Sequence, residues 1–443
     1  MFKQKLSVLL LVVFVGSFAL SVVAGAEELP YGLQSGKPYD GTKLVYLLPH
    51  AAQFNGHAKR TQEFTDFTGI EVEYQFVPFG NLKEKITTDG VLGSGEVDLY
   101  CFLDSWGPSL KQFLVPLDDQ IQGAGIDMNR YPPAFVKGSQ YDGSFYGFPL
   151  RGHPQLMFYR KDILAQVGLE PPTTWAELEA AAKTITEKTD LHGAAMYYGK
   201  GNSGQNLYVW YAYLWSNGGD IFDENWKPIF NNPAGIEATQ RYVDLMLKHE
   251  ATAPGSAFFS EYEASQSISQ NESAIVILWW WHFGNMTNPE KSQDIVVENM
   301  GFAPVPGWEG KQKATLALSM VTGVSTHSGK QEAAWEYLKW VSNQELEKQN
   351  VLDKSDPDTM TIVAVQTETL EDPEINATSD GMHAAAAESL AVSNIMPMFS
   401  EWPEVMTALE VAISEIAGGK PVKEQLDKAA KEVEQIMERG GFY

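Results

Sequence analysis

The chain has 443 residues and a formal net charge of −25, from 57 acidic and 32 basic side chains. This length exceeds that of one typical domain and predicts two domains. The acidic balance argues against nucleic-acid binding, because phosphates need neutralisation by Lys and Arg, and against adsorption to anionic lipid; it fits a secreted protein that must stay soluble.

The N-terminus has the pattern of a secretory signal peptide. Basic residues precede the apolar run 6–15, and Ala24-Gly25-Ala26 fits the A-x-A cleavage pattern, so we expect the mature chain to start at Glu27. A membrane anchor is the weaker alternative, because the run is short and is followed by a cleavage site. No cysteine stands at the cleavage point, so a lipid anchor is not indicated there, and no later segment reaches transmembrane length.

The cysteine and histidine content predicts neither disulfide bonds nor metal sites. The single cysteine, Cys101, cannot form an internal disulfide, so stability must come from the core. The eight histidines form no H-x-x-H-type clusters. We therefore expect no metal and no cofactor.

Strand and helix patterns alternate in the first quarter of the chain. Apolar or alternating runs predict strands at 43–48, 70–76 and 97–102, and helical periodicity predicts helices near 57–67 and 82–92. This order predicts parallel pairing in an α/β architecture. In such sheets the ligand crevice lies outside the carboxyl ends of the strands, so the loops that follow the strands are candidate ligand loops.

Later segments carry clearer boundary signals. Thr174 and Glu177 form a capping-box pattern that predicts a helix start. A strand is expected at 314–324. Pro421 starts a C-terminal helix with apolar residues at 3–4 spacing, and Gly440 ends it.

No catalytic constellation stands out. The sequence has no G-x-S-x-G elbow, H-E-x-x-H motif or P-loop. The carboxylate pairs Asp118-Asp119 and Glu371-Asp372 are expected by chance in so acidic a chain. A secreted glycosidase, which needs two carboxylates flanking the scissile bond, is therefore a remote alternative.

Aromatic residues are the unusual feature, with 12 Trp, 18 Tyr and 22 Phe. Core packing is the more common role for any single Trp, but several fall at expected strand ends or loops, among them Trp106, Trp210, Trp215, Trp281, Trp308 and Trp402. Aromatic faces next to planar polar groups suit a polyhydroxylated ligand such as a sugar. Three consecutive tryptophans, 279–281, follow the apolar strand pattern 274–278.

Four sequence blocks, at 63–118, 141–175, 301–338 and 402–437, occur in the order found in one known family. Through them the chain resembles the extracellular solute-binding proteins of bacterial ABC importers, in the maltose-binding-protein-like, carbohydrate-binding class. The resemblance implies an α/β, two-lobed periplasmic-binding-protein fold. Each lobe would be a mostly parallel sheet flanked by helices, and crossover hinge segments would join the lobes.

The same resemblance implies a division of the chain. Residues 1–26 would be the signal peptide. The N-lobe would comprise 27–149 plus 317–363, and the C-lobe 150–316 plus 364–443.

Site residues follow from the crevice loops and from the family pattern. Matching the family pattern places Trp281 nearest the stacking position, with Trp279 and Trp280 as neighbours. Trp402 matches a C-terminal aromatic near the cleft, and its WPE context could equally make it a hinge wedge. Arg151 and His153 follow the first crossover. The predicted ligand-binding residues are Trp281, Trp106, Asp104, Gln53, His50, Arg151, His153, Trp280, Trp308 and Trp402.

The implied function is that of a monomeric periplasmic protein that captures a mono- or oligosaccharide between its lobes and delivers it to an ABC permease, with no enzymatic step. The alternative is a binding protein of the same fold for a sugar alcohol, an acidic sugar or another polar metabolite. Arg151 is the feature that would signal a carboxylate.

Overall fold

The computed structural model describes residues 29–201, 204–355 and 362–443. The predicted signal peptide, with its cleavage site after Ala26, lies outside these residues. Among the described helices, none is both long enough and apolar enough to cross a membrane.

The strands are β1 (Lys43–Pro49), β2 (Glu71–Val77), β3 (Leu99–Leu103), β4 (Gln140–Tyr141), β5 (Ser144–Phe145), β6 (Phe148–Arg160), β7 (His192–Ala195), β8 (Ser273–Trp279), β9 (Met300–Pro304), β10 (Thr315–Val324) and β11 (Ser393–Asn394).

The helices are α1 (Ala52–Thr68), α2 (Phe79–Leu92), α3 (Gly107–Leu110), α4 (Asp118–Gly123), α5 (Pro133–Gly138), α6 (Lys161–Val167), α7 (Trp175–Lys188), α8 (Tyr208–Ser216), α9 (Pro233–Leu247), α10 (Glu261–Ser269), α11 (His282–Met286), α12 (Asp294–Asn299), α13 (Gln331–Val341), α14 (Gln344–Leu352), α15 (Thr367–Leu370), α16 (Pro373–Thr378), α17 (Met382–Ala391), α18 (Trp402–Ala417) and α19 (Val422–Arg439).

A mixed sheet runs through the molecule in the strand order β2-β1-β3-β10-β6-β8-β7, and β9 and β11 pair with β6 and β10. The predicted parallel pairing of the first three strands is confirmed, because β1 is parallel to both β2 and β3. The long strands β6 and β10 are antiparallel to each other, and they link the β1–β3 part of the sheet to the β7–β8 part. With helices packed against it, this sheet confirms the predicted α/β architecture.

Two helices begin earlier than the sequence pattern predicts. Helix α1 starts at Ala52 and not near 57, and α2 starts at Phe79 and not at 82. Neither Ala51 nor Pro78, which precede these helices, makes a side-chain capping bond. The usual sequence signal of a helix start is therefore missing at both places.

The buried side chains form two hydrophobic cores. The first core contains buried residues from 33–150, 317–351 and 362–395. The second core is built mainly from residues 156–318 and 396–437. Strands β6 and β10 contribute to both, so they are the segments through which the two cores are connected.

The division into lobes stays a prediction. Its last boundary, at 363, lies within a segment whose later buried residues Ala364, Ile375 and Leu390 pack in the first core. From Met396 onward the buried side chains belong to the second core.

Helix α7 begins with the predicted capping box. The Thr174 hydroxyl accepts a bond from the Glu177 backbone N–H, and the Glu177 carboxylate accepts one from the Thr174 N–H, both at 3.2 Å. Two of the donors that lack a partner in the first turn of a helix are thereby satisfied.

Removing this cap should weaken the fold measurably. We expect Thr174→Ala to lower the free energy of unfolding by about 1 kcal/mol, measured by urea denaturation. Thr184→Ala is the matched control, because Thr184 lies in the interior of the same helix and only bonds back to the Ala180 carbonyl. Equal losses in the two variants would show that the cap contributes nothing.

Candidate functional site

Two stacked ring pairs lie where the parallel strands β1, β2 and β3 end. His50, directly after β1, stacks on Phe76 with centroids 4.7 Å apart and planes 12° apart. Trp106, after β3, stacks on Phe79 at 5.2 Å and 29°. Phe79 is 49% exposed, and His50 and Trp106 are also accessible. The carboxyl edge of the first-core strands therefore presents flat rings to solvent, at the place where such sheets bind ligands.

Gln53, predicted as a hydroxyl partner, is buried in the first turn of α1. Its amide nitrogen lies 3.5 Å from Nε2 of His57, and its carbonyl oxygen is buried without a hydrogen-bond partner. Burial lowers the pKa of His57 to about 3, so this imidazole is uncharged at neutral pH. Both side chains of this pair are buried.

Asp104 is only 1% exposed, and both carboxylate oxygens already accept bonds from the protein. Oδ1 accepts the Ser105 N–H at 2.7 Å, and Oδ2 accepts the N–H and hydroxyl of Ser319 at 2.7 and 3.1 Å. Burial raises the pKa of Asp104 to about 7, against the opposing effect of these bonds. Asp104 thus fastens the loop after β3, which includes Trp106, to strand β10.

Arg151 and His153 lie on one face of β6. Between them is Gly152, where an added Cβ would lie 2.5 Å from the Phe135 ring and 3.0 Å from Val365. Gly152 therefore faces the helical layer behind the sheet. Because strand side chains alternate, Arg151 and His153 project to the opposite face.

Aromatic side chains from the second core surround this face. Trp279, the last residue of β8, is edge-on to His153 with centroids 6.0 Å apart, and Tyr208 is edge-on to Trp279 at 5.0 Å. Burial and the nearby charge of Arg151 hold the pKa of His153 well below its usual range. The imidazole is therefore neutral, and it can both donate and accept a hydrogen bond.

The three consecutive tryptophans have different environments. Trp279 and Trp280 are each 4% exposed, and Trp280 packs edge-on against His383. Trp281 is partly exposed, stacks on His282 at 3.7 Å, and lies 6.0 Å from Tyr262. Trp281 is therefore the most accessible of the three rings, and its role in stacking on a ligand stays a prediction.

Two of the predicted residues lie in the interior of the second core. Trp402, at the start of α18, is 2% exposed and packs on Phe399 at 5.9 Å. Trp308 is also buried, and Arg241 and Lys311 lie over its ring at 4.9 and 5.6 Å. These are the contacts of core side chains, and they do not bring either ring to the Arg151 face.

Tyr262 and Tyr208 belong to this region, although the sequence pattern did not single them out. Tyr262 is 58% exposed; burial and the charge of Glu261 raise its pKa, and Arg151 lowers it. The capping box of Ser260 and Glu263 could have placed Tyr262 at a helix start. Tyr208 opens a helix that is apolar all round, so no periodicity distinguishes it.

The charged groups near these residues do not form a metal site. Across the described ranges, no three His, Cys, Asp or Glu side chains come together closely enough to hold a metal ion.

Comparison with known proteins identifies the class. A family model described as bacterial extracellular solute-binding protein matches residues 49–348. A probable amino-acid ABC transporter periplasmic-binding protein of Sinorhizobium fredii is 25% identical over 422 residues, which is 92% of each chain.

Solved structures share the fold. A solute-binding protein of Agrobacterium radiobacter K84, in complex with ribitol, superposes with a TM-score of 0.73 at 24% identity, covering 90% of this chain and 100% of that one. Maltose-bound MalE3 of T. maritima gives 0.76 at 20% identity, with 89% and 100% covered. At such identities the likeness shows the two-lobed fold alone.

The chain therefore has the two-lobed α/β fold of these structures. The family match spans well over half of the sequence, and the chain belongs to the bacterial extracellular solute-binding proteins.

The buried Asp104 should make stability depend on pH. Its folded-state pKa of about 7 lies above the ordinary value, so the folded protein holds the proton more tightly and stability falls as pH rises between the two values. We expect Asp104→Asn to remove on the order of 2–4 kcal/mol of this dependence between pH 4 and 7.5.

Urea unfolding at several pH values measures the effect. Glu347, whose pKa burial also raises to about 7, changes stability in the same direction, so the quantity to compare is the difference between variant and wild type. The exposed Asp119→Asn is the matched control. A pH profile of Asp104→Asn parallel to wild type would contradict the prediction.

Proposed function

We propose that this protein is the periplasmic carbohydrate-binding component of an ABC import system. It captures a sugar or sugar alcohol between its lobes, and the membrane permease recognises the closed state. The protein breaks no bond. It is exported by a signal peptide that is cleaved after Ala26, and it acts as a monomer.

We propose chain crossings near 149 and 317, with a third near 395. The third lies later than the sequence pattern suggested, because Ala364, Ile375 and Leu390 pack in the first core. The lobes would then be 27–149 with 317–395, and 150–316 with 396–443.

The observation that supports this function is the set of rings and polar groups around the Arg151 face of β6. Strands β6 and β10 contribute to both cores. Rings at the edge of the first core, such as Trp106, lie on one side of these strands, and rings of the second core, such as Trp279, lie on the other. Rings suit the C–H faces of a sugar, and Arg and neutral His suit its oxygens. The proposed ligand surface comprises His50, Trp106, Arg151, His153, Tyr208, Tyr262, Trp279 and Trp281, with Gln53, Asp104 and Trp280 supporting it from beneath.

The similar proteins support the class of solute without fixing it. The compared structures contain ribitol and maltose, whereas the Sinorhizobium fredii relative is described as an amino-acid binder. The ring-lined site favours a polyhydroxylated solute over an amino acid, whose small apolar area would leave these rings uncovered.

Titration with matched panels tests the proposal. We expect a sugar or a sugar alcohol to quench or shift Trp fluorescence and to raise the melting temperature, because ligand that binds only the folded state stabilises it. Ligand identification by mass spectrometry on the purified protein provides an independent measurement. A response to amino acids or peptides, with none to any sugar or polyol, would refute the carbohydrate assignment.

The variants Trp281→Ala and Trp402→Ala distinguish a ring that contacts the ligand from a ring that packs in the core. We expect Trp281→Ala to weaken binding roughly tenfold or more with little change in melting temperature, because its ring is partly exposed. We expect Trp402→Ala to cost about 3–5 kcal/mol of stability, since that ring is fully packed. An unstable Trp281→Ala variant would mean that Trp281 is a core residue.

A further inference from the structure

We propose that the natural ligand carries a carboxylate and that Arg151 binds it. This inference rests on the proposed function only in taking the Arg151 face of β6 as the ligand site. It goes further in assigning one charged group to the solute and one residue to its recognition.

Arg151 differs from every other arginine in the chain in what its guanidinium contacts. The other five each donate to at least one protein oxygen; they are Arg60, Arg130, Arg160, Arg241 and Arg439. Within the part of the chain that the structure describes, Arg151 donates only to the sulfur of Met320, at 3.8 Å. A thioether is a weak acceptor, and a guanidinium has five N–H donors, so most of its hydrogen-bonding capacity is unused.

The surroundings of Arg151 leave its charge unneutralised. Among the described residues, no carboxylate lies within ion-pair distance of it, although the chain has 57 acidic side chains. The groups that act on it electrostatically are the Cys101 thiol and the Tyr262 phenol, and burial raises the pKa of both. Both are uncharged at neutral pH.

Glu261 and Arg151 both act electrostatically on Tyr262. The contacts of the Glu261 carboxylate are with other residues. Its Oε1 atom lies 3.5 Å from the Gln205 amide nitrogen and 4.0 Å from Nε2 of His282. Its Oε2 atom is buried and has no hydrogen-bond partner among the described residues, and it makes no ion pair with Arg151. Glu261 therefore does not form an ion pair with the guanidinium.

Arg151 remains charged and open to a ligand. Burial lowers its pKa to about 10, which leaves it protonated at neutral pH, and its side chain is partly exposed. A partly desolvated cation without a counter-charge is unfavourable, and an anion in the cleft relieves that cost. The neutral His153 on the same face adds no second charge, which favours a singly charged carboxylate over a phosphate dianion.

A neutral sugar would satisfy the donors but not the charge. A carboxylate does both, since its two oxygens match the two parallel N–H groups of the guanidinium fork. Together with the rings on either side, the site fits a hydroxylated carboxylic acid such as an aldonate or a uronate.

Matched acid and neutral ligands test this inference by calorimetric titration, with glucuronate against glucose, gluconate against sorbitol, and a panel of amino acids. We expect the acid of at least one sugar pair to bind roughly 10- to 150-fold more tightly than its neutral partner, which is the range for a charged hydrogen-bonded contact. Arg151→Gln should remove that difference, and Arg151→Lys should keep part of it because it keeps the charge without the fork.

Arg241→Gln is the matched control. Arg241 forms a two-bond ion pair with Glu309, so its loss should lower the melting temperature and leave ligand selectivity unchanged. Arg151→Gln should show the reverse, with an unliganded melting temperature at or above that of wild type. If Arg151→Gln lost affinity equally for acid and neutral ligands, the residue would shape the site without recognising the charge of the ligand.

The remaining outcomes separate this inference from the proposed function. Tight binding of neutral sugars that exceeds that of their acids overturns the inference and leaves the carbohydrate function intact. Binding of amino acids that depends on Arg151, with no sugar acid bound, supports carboxylate recognition and overturns the carbohydrate function. A protein that binds no carboxylate-bearing solute overturns the inference.

Discussion

The antiparallel pairing of β6 with β10 is the constraint on which the rest of the structure depends. At 13 residues, β6 extends roughly 43 Å, long enough to pass from one core into the other. Phe148 and Leu150 pack in the first core, and Leu156 packs in the second. Hydrogen bonds along the pair hold this connection in register.

The register of that pair is irregular at the place where the candidate ligand residues lie. Arg151 is opposite Met320, and the pairing shifts between Met320 and Val321. Such irregularities bend a strand and re-aim its side chains. The register shift lies where the sheet passes from one core to the other. The Asp104–Ser319 bonds, which hold the loop after β3, lie next to it. One short stretch of backbone thus positions both the charged face and an aromatic loop.

Local signals in the sequence predicted most of the fold, and long-range contacts decided most of the site. Alternation and helical periodicity located β1, β2 and β3, and the capping box located α7, because neighbours in sequence form those features. The hydrogen bonds of the buried Asp104 depend on Ser319, which is 215 positions away in the chain. No local sequence pattern predicts this contact. The separate environments of Trp279, Trp280 and Trp281 likewise depend on His153, His383 and His282, of which only the last is adjacent in sequence.

Among the residues that the structure describes, no protein oxygen accepts a hydrogen bond from the Arg151 guanidinium, and this bears on which substitutions the fold tolerates. Most substitutions of buried charged residues are removed by selection because they push a protein below the stability it needs. Selection for stability does not act in this way on a side chain that makes no bond required for folding. A substitution of Arg151 is therefore expected to change solute choice at little cost to the stability of the fold.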